Sequence, residues 1–347
     1  LPLAPLQEGL LFHALYDDQD TPDVYVVQIA LQLEGPLDTN RLHTAAHTLL
    51  GRHPHLTACF LTRPNGQPIQ IIPTHYQLPW HEHNLTHLNP TQQQTQTANI
   101  LHHTRTQRFT MTNPPLLRYT LIHHTPHHHT LALTLHHILL DGWSMPILIH
   151  ELLTHYHHPT NPPLPPTTPY KHYLTWLHQQ DHTTATTTWT NHLHNTTPTH
   201  LTQPNPPTNP THTTPQHTTH HLTPHTTQTL THHTRTHQLT LNTLIQGTWA
   251  LLLNTHTGNN NITFGTTTTE RPPEIPHINT MIGLFINTTP THTHIHPNET
   301  ITQHLTRLQN QQTQLLDHQH LSLTHIHNTT NHTQLFNTTT VFENYPL

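Results

Sequence analysis

Apolar positions fall into blocks along the chain, and the spacing inside each block predicts an element. Leu3, Leu6, Leu10, Leu11, Ala14 and Leu15 recur at helical intervals over residues 1–16, with Glu8 on the other face. Residues 24–33 (VYVVQIALQL) read as a strand closed by Gly35-Pro36. Asp38 is placed to cap a helix carrying Leu42, Ala45, Ala46, Leu49 and Leu50, which stops at Gly51. Leu131, Leu133 and Leu135 alternate with Ala132 and Thr134 in a strand that runs into His136-His137. Ser144, with Pro146 just inside, opens a helix holding Ile147, Leu148, Leu152 and Tyr156. Further along, helices are predicted over 173–193, 241–253 and 301–316, and strands over 262–265, 281–287 and 338–343.

The polar tracts divide the chain. Residues 157–169 hold six prolines, so they neither continue a helix nor pair inside a sheet. They are expected to link an N-terminal lobe, 1–156, to a C-terminal lobe, 170–347. The tract 195–229, rich in Thr, Pro, His and Asn, is expected to be exposed and mobile.

Composition sharpens this picture. Of the 347 residues, 31% are hydrophobic and 7% charged, and the deficit is filled by 47 His, 33 Pro and roughly a fifth Thr. These abundant residues, with Asn and Gln, share codons built from A and C, whereas the scarce Ala, Gly, Val, Asp and Glu need a first-position G. We therefore read many Thr as standing where Ala would serve, and many His where Arg would. The single cysteine, Cys59, excludes an internal disulfide framework and is expected to be buried. With one lysine, nine arginines and a net charge of −6, the chain carries no basic footprint for nucleic acid. It has neither an apolar run of about 18 residues nor a signal-peptide pattern, so it reads as a cytoplasmic protein without a membrane partner. The histidine runs are expected to be a biased surface, not a dedicated metal site.

Candidate chemistry concentrates in His136-His137-Ile138-Leu139-Leu140-Asp141-Gly142-Trp143-Ser144. Adjacent strand residues point to opposite faces, so one histidine is expected to be catalytic and the other structural. Asp141 lies beyond the loop, where pairing with an arginine would order it, and Gly142 permits a close backbone approach.

These residues resemble the HHxxxDG motif of the condensation domains of nonribosomal peptide synthetases. The resemblance continues at Leu3-Ala4-Pro5-Leu6-Gln7-Glu8-Gly9-Leu10-Leu11-Phe12-His13, at Arg52-His53-Pro54-His55-Leu56, at 170–176, at Met281-Ile282-Gly283-Leu284-Phe285-Ile286-Asn287-Thr288, at Asp317-His318-Gln319-His320-Leu321 and at Val341-Phe342-Glu343-Asn344-Tyr345-Pro346. Thr57 stands where the family commonly carries arginine, and His172 where it commonly carries aspartate.

The resemblance implies an α/β (α+β type) fold of two chloramphenicol acetyltransferase-like lobes in a V-shaped pseudodimer, with a tunnel between them. The family usually continues several tens of residues past the last motif, which implies a C-terminally truncated chain with an incomplete second lobe. The implied reaction joins a donor aminoacyl or peptidyl thioester to an acceptor aminoacyl thioester. Each would ride on 4′-phosphopantetheine of a peptidyl carrier protein, beside an adenylation domain, with no cofactor bound by the domain itself. Implied roles are His137 at the acceptor amine, His136 and Asp141 as structural members, and Gly142 N–H at the oxyanion. Arg52 would be the partner of Asp141, and Asn287, Trp143 and Ser144 would line the tunnel. The opening motif and the 138–144 loop look most like the subgroup taking donors with a D-configured end. A noncatalytic carrier-docking module and a decayed, inactive fragment are the competing readings; retention of His137 favours the catalytic one.

Overall fold

Residues 128–136 form a strand that is buried along almost its whole length because its central positions are small or apolar on both faces. Leu131, Leu133 and Leu135 alternate with Ala132 and Thr134, and all five are buried. The computed structural model describes residues 1–17, 21–201, 216–330, 332 and 334–345. Its contacts divide the chain into two units. Unit 1 contains Leu1–Gln179, Arg271–Phe285 and Tyr345; unit 2 contains Gln180–Glu270 and Ile286–Asn344.

Unit 1 runs α1 (Pro5–Tyr16), β1 (Val26–Glu34), α2 (Thr39–Arg52), β2 (Cys59–Thr62), β3 (Pro68–Ile71), β4 (Trp80–Asn84), α3 (Pro90–Thr106), β5 (Leu117–Thr125), β6 (His128–His136), α4 (Ser144–His157) and α5 (Lys171–His178). Its main sheet has the order β1-β6-β5-β4, with β4 parallel to β5 and the other pairs antiparallel. Register places Val26 opposite His136 and Leu31 opposite Leu131. Asp38 caps α2 as expected, accepting from Arg41 N–H at 3.0 Å, and the five apolar residues of that helix are buried. Polar positions on β6 are answered from neighbouring elements: Gln28 Nε2 on β1 lies 2.9 Å from both Thr134 Oγ1 and Thr104 Oγ1. Cys59 is buried.

The proline-rich run 157–169, expected to separate two lobes, lies inside unit 1. The reason is the helix that follows it. Tyr170, Tyr173, Leu174 and Leu177 bury against Ile275, Ile278, Met281 and Phe285, so residues 271–285 return to unit 1 although their chain neighbours belong to unit 2.

Unit 2 contains α6 (His182–His192), α7 (Pro224–Thr236), α8 (Leu241–Thr257), β7 (Asn261–Thr269), β8 (Ile286–His294), α9 (Ile301–Leu315), α10 (Leu323–Asn328) and β9 (Thr339–Thr340), with sheet order β8-β7-β9. One core gathers Trp189, Leu193, Leu315, Ile326 and Phe336; another gathers Ala250, Leu253, Ile262 and Phe264.

Several elements differ from expectation. The helix expected over 173–193 is two helices, because Asp181 caps a new start by accepting from Thr183 and Thr184 N–H. The strand expected over 281–287 begins only at Ile286, since backbone groups of 283–285 bond to side chains instead. In the 195–229 tract, α7 starts at Pro224 and Thr199 is buried, accepting from Thr263 N–H through its hydroxyl; residues 202–215 lie outside the described residues. Pro346, the end of the last motif, does too.

The threonine excess is absorbed by local bonds. In α6, the hydroxyls of Thr186, Thr187, Thr188 and Thr190 each donate to the carbonyl four residues back. Not every hydroxyl is so placed: those of Thr120 and Thr263 are buried without a partner in residues of zero exposure. Both sit on strands, where valine has the same shape and a higher propensity. Thr120→Val and Thr263→Val are therefore each expected to stabilise the protein by about 1 kcal/mol, the cost of an unpaired buried hydroxyl being removed. Urea denaturation reads this, and a lower midpoint in both variants would contradict it.

Candidate active site

At the end of β6 the chain turns sharply into α4, and the turn holds the motif. The two histidines point apart, as strand geometry requires. His136 is fully buried; its Nε2 lies 3.2 Å from Asp23 Oδ2 and its Nδ1 accepts from Ile138 N–H at 3.1 Å. Accepting at Nδ1 leaves the ring proton on Nε2, directed at the Asp23 carboxylate. His137 is half-buried. Its backbone N–H donates to Tyr25 O at 2.9 Å, and its Nδ1 is buried without a partner, leaving Nε2 as the accessible edge of the ring.

Asp141 is buried and fully engaged. Its Oδ1 accepts from Ser144 N–H (2.9 Å), Ser144 Oγ (2.7 Å) and Arg271 Nη2 (3.3 Å), and its Oδ2 accepts from Phe285 N–H (3.0 Å). Its own N–H donates to Gly283 O at 3.0 Å. Both partners of the Asp141–Arg271 pair are almost wholly enclosed. Arg271 also donates to Ile278 O, Met281 O and Ser144 Oγ, and lies 4.1 Å from the centre of the Phe285 ring. Burial pulls the Arg271 guanidinium below the ordinary arginine range, and the Asp141 charge is the chief influence opposing that.

Arg52, expected as the partner of Asp141, is elsewhere. Its Nε donates to Glu151 Oε2 at 2.9 Å, and its Nη2 donates to Pro165 O. Glu151, buried on α4, also lies 2.6 Å from His53 Nε2. Burial raises the Glu151 carboxyl, but His53 and Arg52 outweigh it and hold the pKa below the usual range. A carboxylate nearer to α2 therefore captures Arg52. The sequence assigns no role to Arg271, Glu151 or Asp23. For Arg271 a weak signal existed: an arginine just before Pro272-Pro273, ahead of the 281–288 motif.

Four more residues are placed as follows. A Cβ at Gly142 would lie 3.1 Å from the Tyr345 ring, a tight contact that a shift of a few tenths of an ångström in that side chain would relieve. The Gly142 N–H makes no hydrogen bond among the described residues. Trp143 is partly exposed and donates from Nε1 to Asn279 O at 3.1 Å. Ser144 is fully buried, donating to Asp141 and accepting from Gly283 N–H at 3.1 Å. Asn287 belongs to unit 2 and is buried. Its amide donates to Gln319 O and Leu321 O, both at 2.7 Å, and its Oδ1 accepts from Thr288 N–H. The amide nitrogen thus orders the loop before α10, and the amide oxygen is used within β8.

His55, of the 52–56 motif, is buried and stacks on Tyr170 with ring centres 5.0 Å apart. Burial, aided by the neighbouring His53, pushes its pKa down to about 3. No group of three or more His, Cys, Asp or Glu suited to a metal ion is found among the described residues. No helix there is long and apolar enough to cross a membrane.

A family model described as "Condensation domain" matches residues 1–347. A linear gramicidin synthase protein of Brevibacillus parabrevis is 32% identical over 362 residues, covering 100% of this chain and 4% of that protein. Vanchrobactin synthetase of Vibrio anguillarum is 32% identical over 349 residues, covering 100% and 12%. The chain thus spans a small fraction of the length of these curated relatives. Among solved structures, the first condensation domain of the calcium-dependent antibiotic synthetase, in complex with a substrate analogue, superposes with a TM-score of 0.74 at 16% identity, over 98% of this chain and 80% of that one. The starter condensation domain of rhizomide synthetase gives 0.76 at 18%, over 97% and 77%. These likenesses establish the mixed α/β condensation-domain fold.

The His55 shift sets a pH dependence. The unfolded chain protonates this histidine near pH 6.5 and the folded one only near pH 3, so between these values the unfolded state binds more protons. The contribution of His55 to stability is complete above about pH 6.5 and falls as pH is lowered through that window. In His55→Gln the slope of thermal midpoint against pH should be shallower between pH 6.5 and 4; an unchanged slope would contradict this.

Proposed function

We propose, because the chain belongs to the condensation-domain family of nonribosomal peptide synthetases, that it catalyses amide-bond formation between two carrier-bound thioesters. The observation that carries the reading is His137: a half-buried ring with a free Nε2 edge, on a backbone held by its bond to Tyr25, beside a loop locked by Asp141. A histidine with no structural hydrogen bond of its own is available for proton transfer.

The chemistry asks little else of the protein. The acceptor amine attacks the donor thioester carbonyl, forming the C–N bond and a tetrahedral oxyanion. Collapse breaks the C–S bond and releases the donor thiolate. His137 takes the proton from the attacking amine and returns it to the leaving sulfur, so protons balance over the cycle. The unpaired Gly142 N–H supports a role at the oxyanion, where a fixed donor is worth most in a water-poor site. Asp141, buried and with both carboxylate oxygens bonded within the protein, acts on the loop and not on substrate. Orientation of two tethered reactants supplies much of the remaining acceleration.

The partners this reading requires are donor and acceptor peptidyl carrier proteins bearing 4′-phosphopantetheine, and an adenylation domain that loads them in the cytoplasm. The test uses two such carriers, each loaded with the amino acid its own adenylation domain activates. His137→Ala should lower dipeptide formation by about 10²-fold or more at an unchanged thermal midpoint, while His127→Ala and His220→Ala should not lower it. Equal losses in all three would refute the assignment.

A further inference from the structure

Asp23 lies just before β1 and has no part in the chemistry above, yet its carboxylate reaches both strands that carry the catalytic turn. Its Oδ1 accepts from Tyr25 N–H at 2.9 Å and its Oδ2 lies 3.2 Å from His136 Nε2. From Tyr25 the path continues to His137, whose N–H donates to Tyr25 O at 2.9 Å. From His136 it continues to Ile138, whose N–H donates to His136 Nδ1 at 3.1 Å. The peptide groups on either side of His137 are therefore held by two arms that meet on one carboxylate. Ile138 is held again from its carbonyl, which accepts from Gln7 Nε2 at 2.9 Å. The carboxylate is 4% exposed, an enclosure that an acidic group ordinarily reaches only when it is paired. Burial raises its pKa, but the His136 bond, the Tyr25 N–H and the charge of Arg108 outweigh that and hold it low.

We propose that Asp23 is a positioning residue for the condensation reaction: it sets the tautomer of His136 and thereby the backbone at His137. The inference rests on the reading of His137 as the catalytic base. Two carboxylate oxygens accept from Tyr25 N–H and from His136 Nε2–H together, and a ring protonated at Nε2 has its Nδ1 lone pair free for Ile138 N–H. Asparagine has the same shape but only one acceptor. Its NH2 would face His136 Nε2–H, and moving the ring proton to Nδ1 would then set two donors against each other at Ile138. The circuit closes only with a carboxylate.

The test compares Asp23→Asn and Asp23→Glu, alone and with His136→Gln, in the loaded-carrier assay with thermal midpoints measured alongside. Asp23→Asn should lower kcat by about tenfold to a hundredfold, as small displacements of a catalytic group do, with KM for the acceptor carrier unchanged. Asp23→Glu, which keeps both acceptors, should recover most of that loss. Because Asp23 acts through His136, the double variant with His136→Gln should be no slower than the slower single one. Unchanged kcat in Asp23→Asn, equal losses in Asn and Glu variants, additive losses in the double variant, or loss of the thermal transition in both Asp23 variants would each overturn the proposal. Full activity in His137→Ala would overturn the catalytic reading and the proposal with it. Loss in His137→Ala beside full activity in Asp23→Asn would overturn the proposal alone.

Discussion

The enclosed pair between Asp141 and Arg271 is the constraint on which unit 1 depends. An aspartate at zero side-chain exposure is costly unless each of its acceptor positions is answered. Here the answers come from Ser144, Arg271 and the Phe285 backbone. Satisfying one carboxylate therefore brings residues 271–285 back to unit 1 and keeps 283–285 out of a strand. It also fixes the start of α4. His137 owes its fixed position to this loop on one side and to the end of the β1–β6 pair on the other. The site is built by desolvated charge as much as by apolar burial.

A chain with so few hydrophobic and charged residues reaches this arrangement by using them sparingly. Of nine arginines, Arg271 serves the loop and Arg52 ties α2 to α4 through Glu151. Threonine takes up positions that alanine or valine would fill elsewhere, and where helical geometry allows, its hydroxyl bonds to the preceding turn. At Thr120 and Thr263, each buried on a strand, the hydroxyl goes unanswered. The fold tolerates its composition because the cores around Leu131–Leu135 and around Tyr170–Phe285 keep ordinary apolar side chains.

Much of unit 1 was legible because its signals are local. The Asp38 cap, the stripe of α2 and the alternation of β6 each depend on neighbours a few residues away. So does the divergence of His136 from His137. What escaped was long-range. Arg271 meets Asp141 across 130 positions, and no spacing encodes that choice over Arg52, which Glu151 had already claimed. Asn287 carried an open amide in the sequence, and only the fold supplies the two carbonyls that consume it. The proline run misled for a related reason: proline ends a helix, but whether a unit ends there depends on what the next helix packs against.

If the Asp141–Arg271 pair governs the loop, the amide hydrogens of Asp141, Ser144, Gly283 and Phe285 should behave as one group. Native-state hydrogen exchange measures this directly. All four are expected to be protected in the wild type and to lose protection together in Arg271→Ala. Those of β6 should keep theirs, and Arg52→Ala should leave the four unchanged. Retained protection at Phe285 and Ser144 in Arg271→Ala, or its loss in Arg52→Ala, would contradict the governing role of the pair.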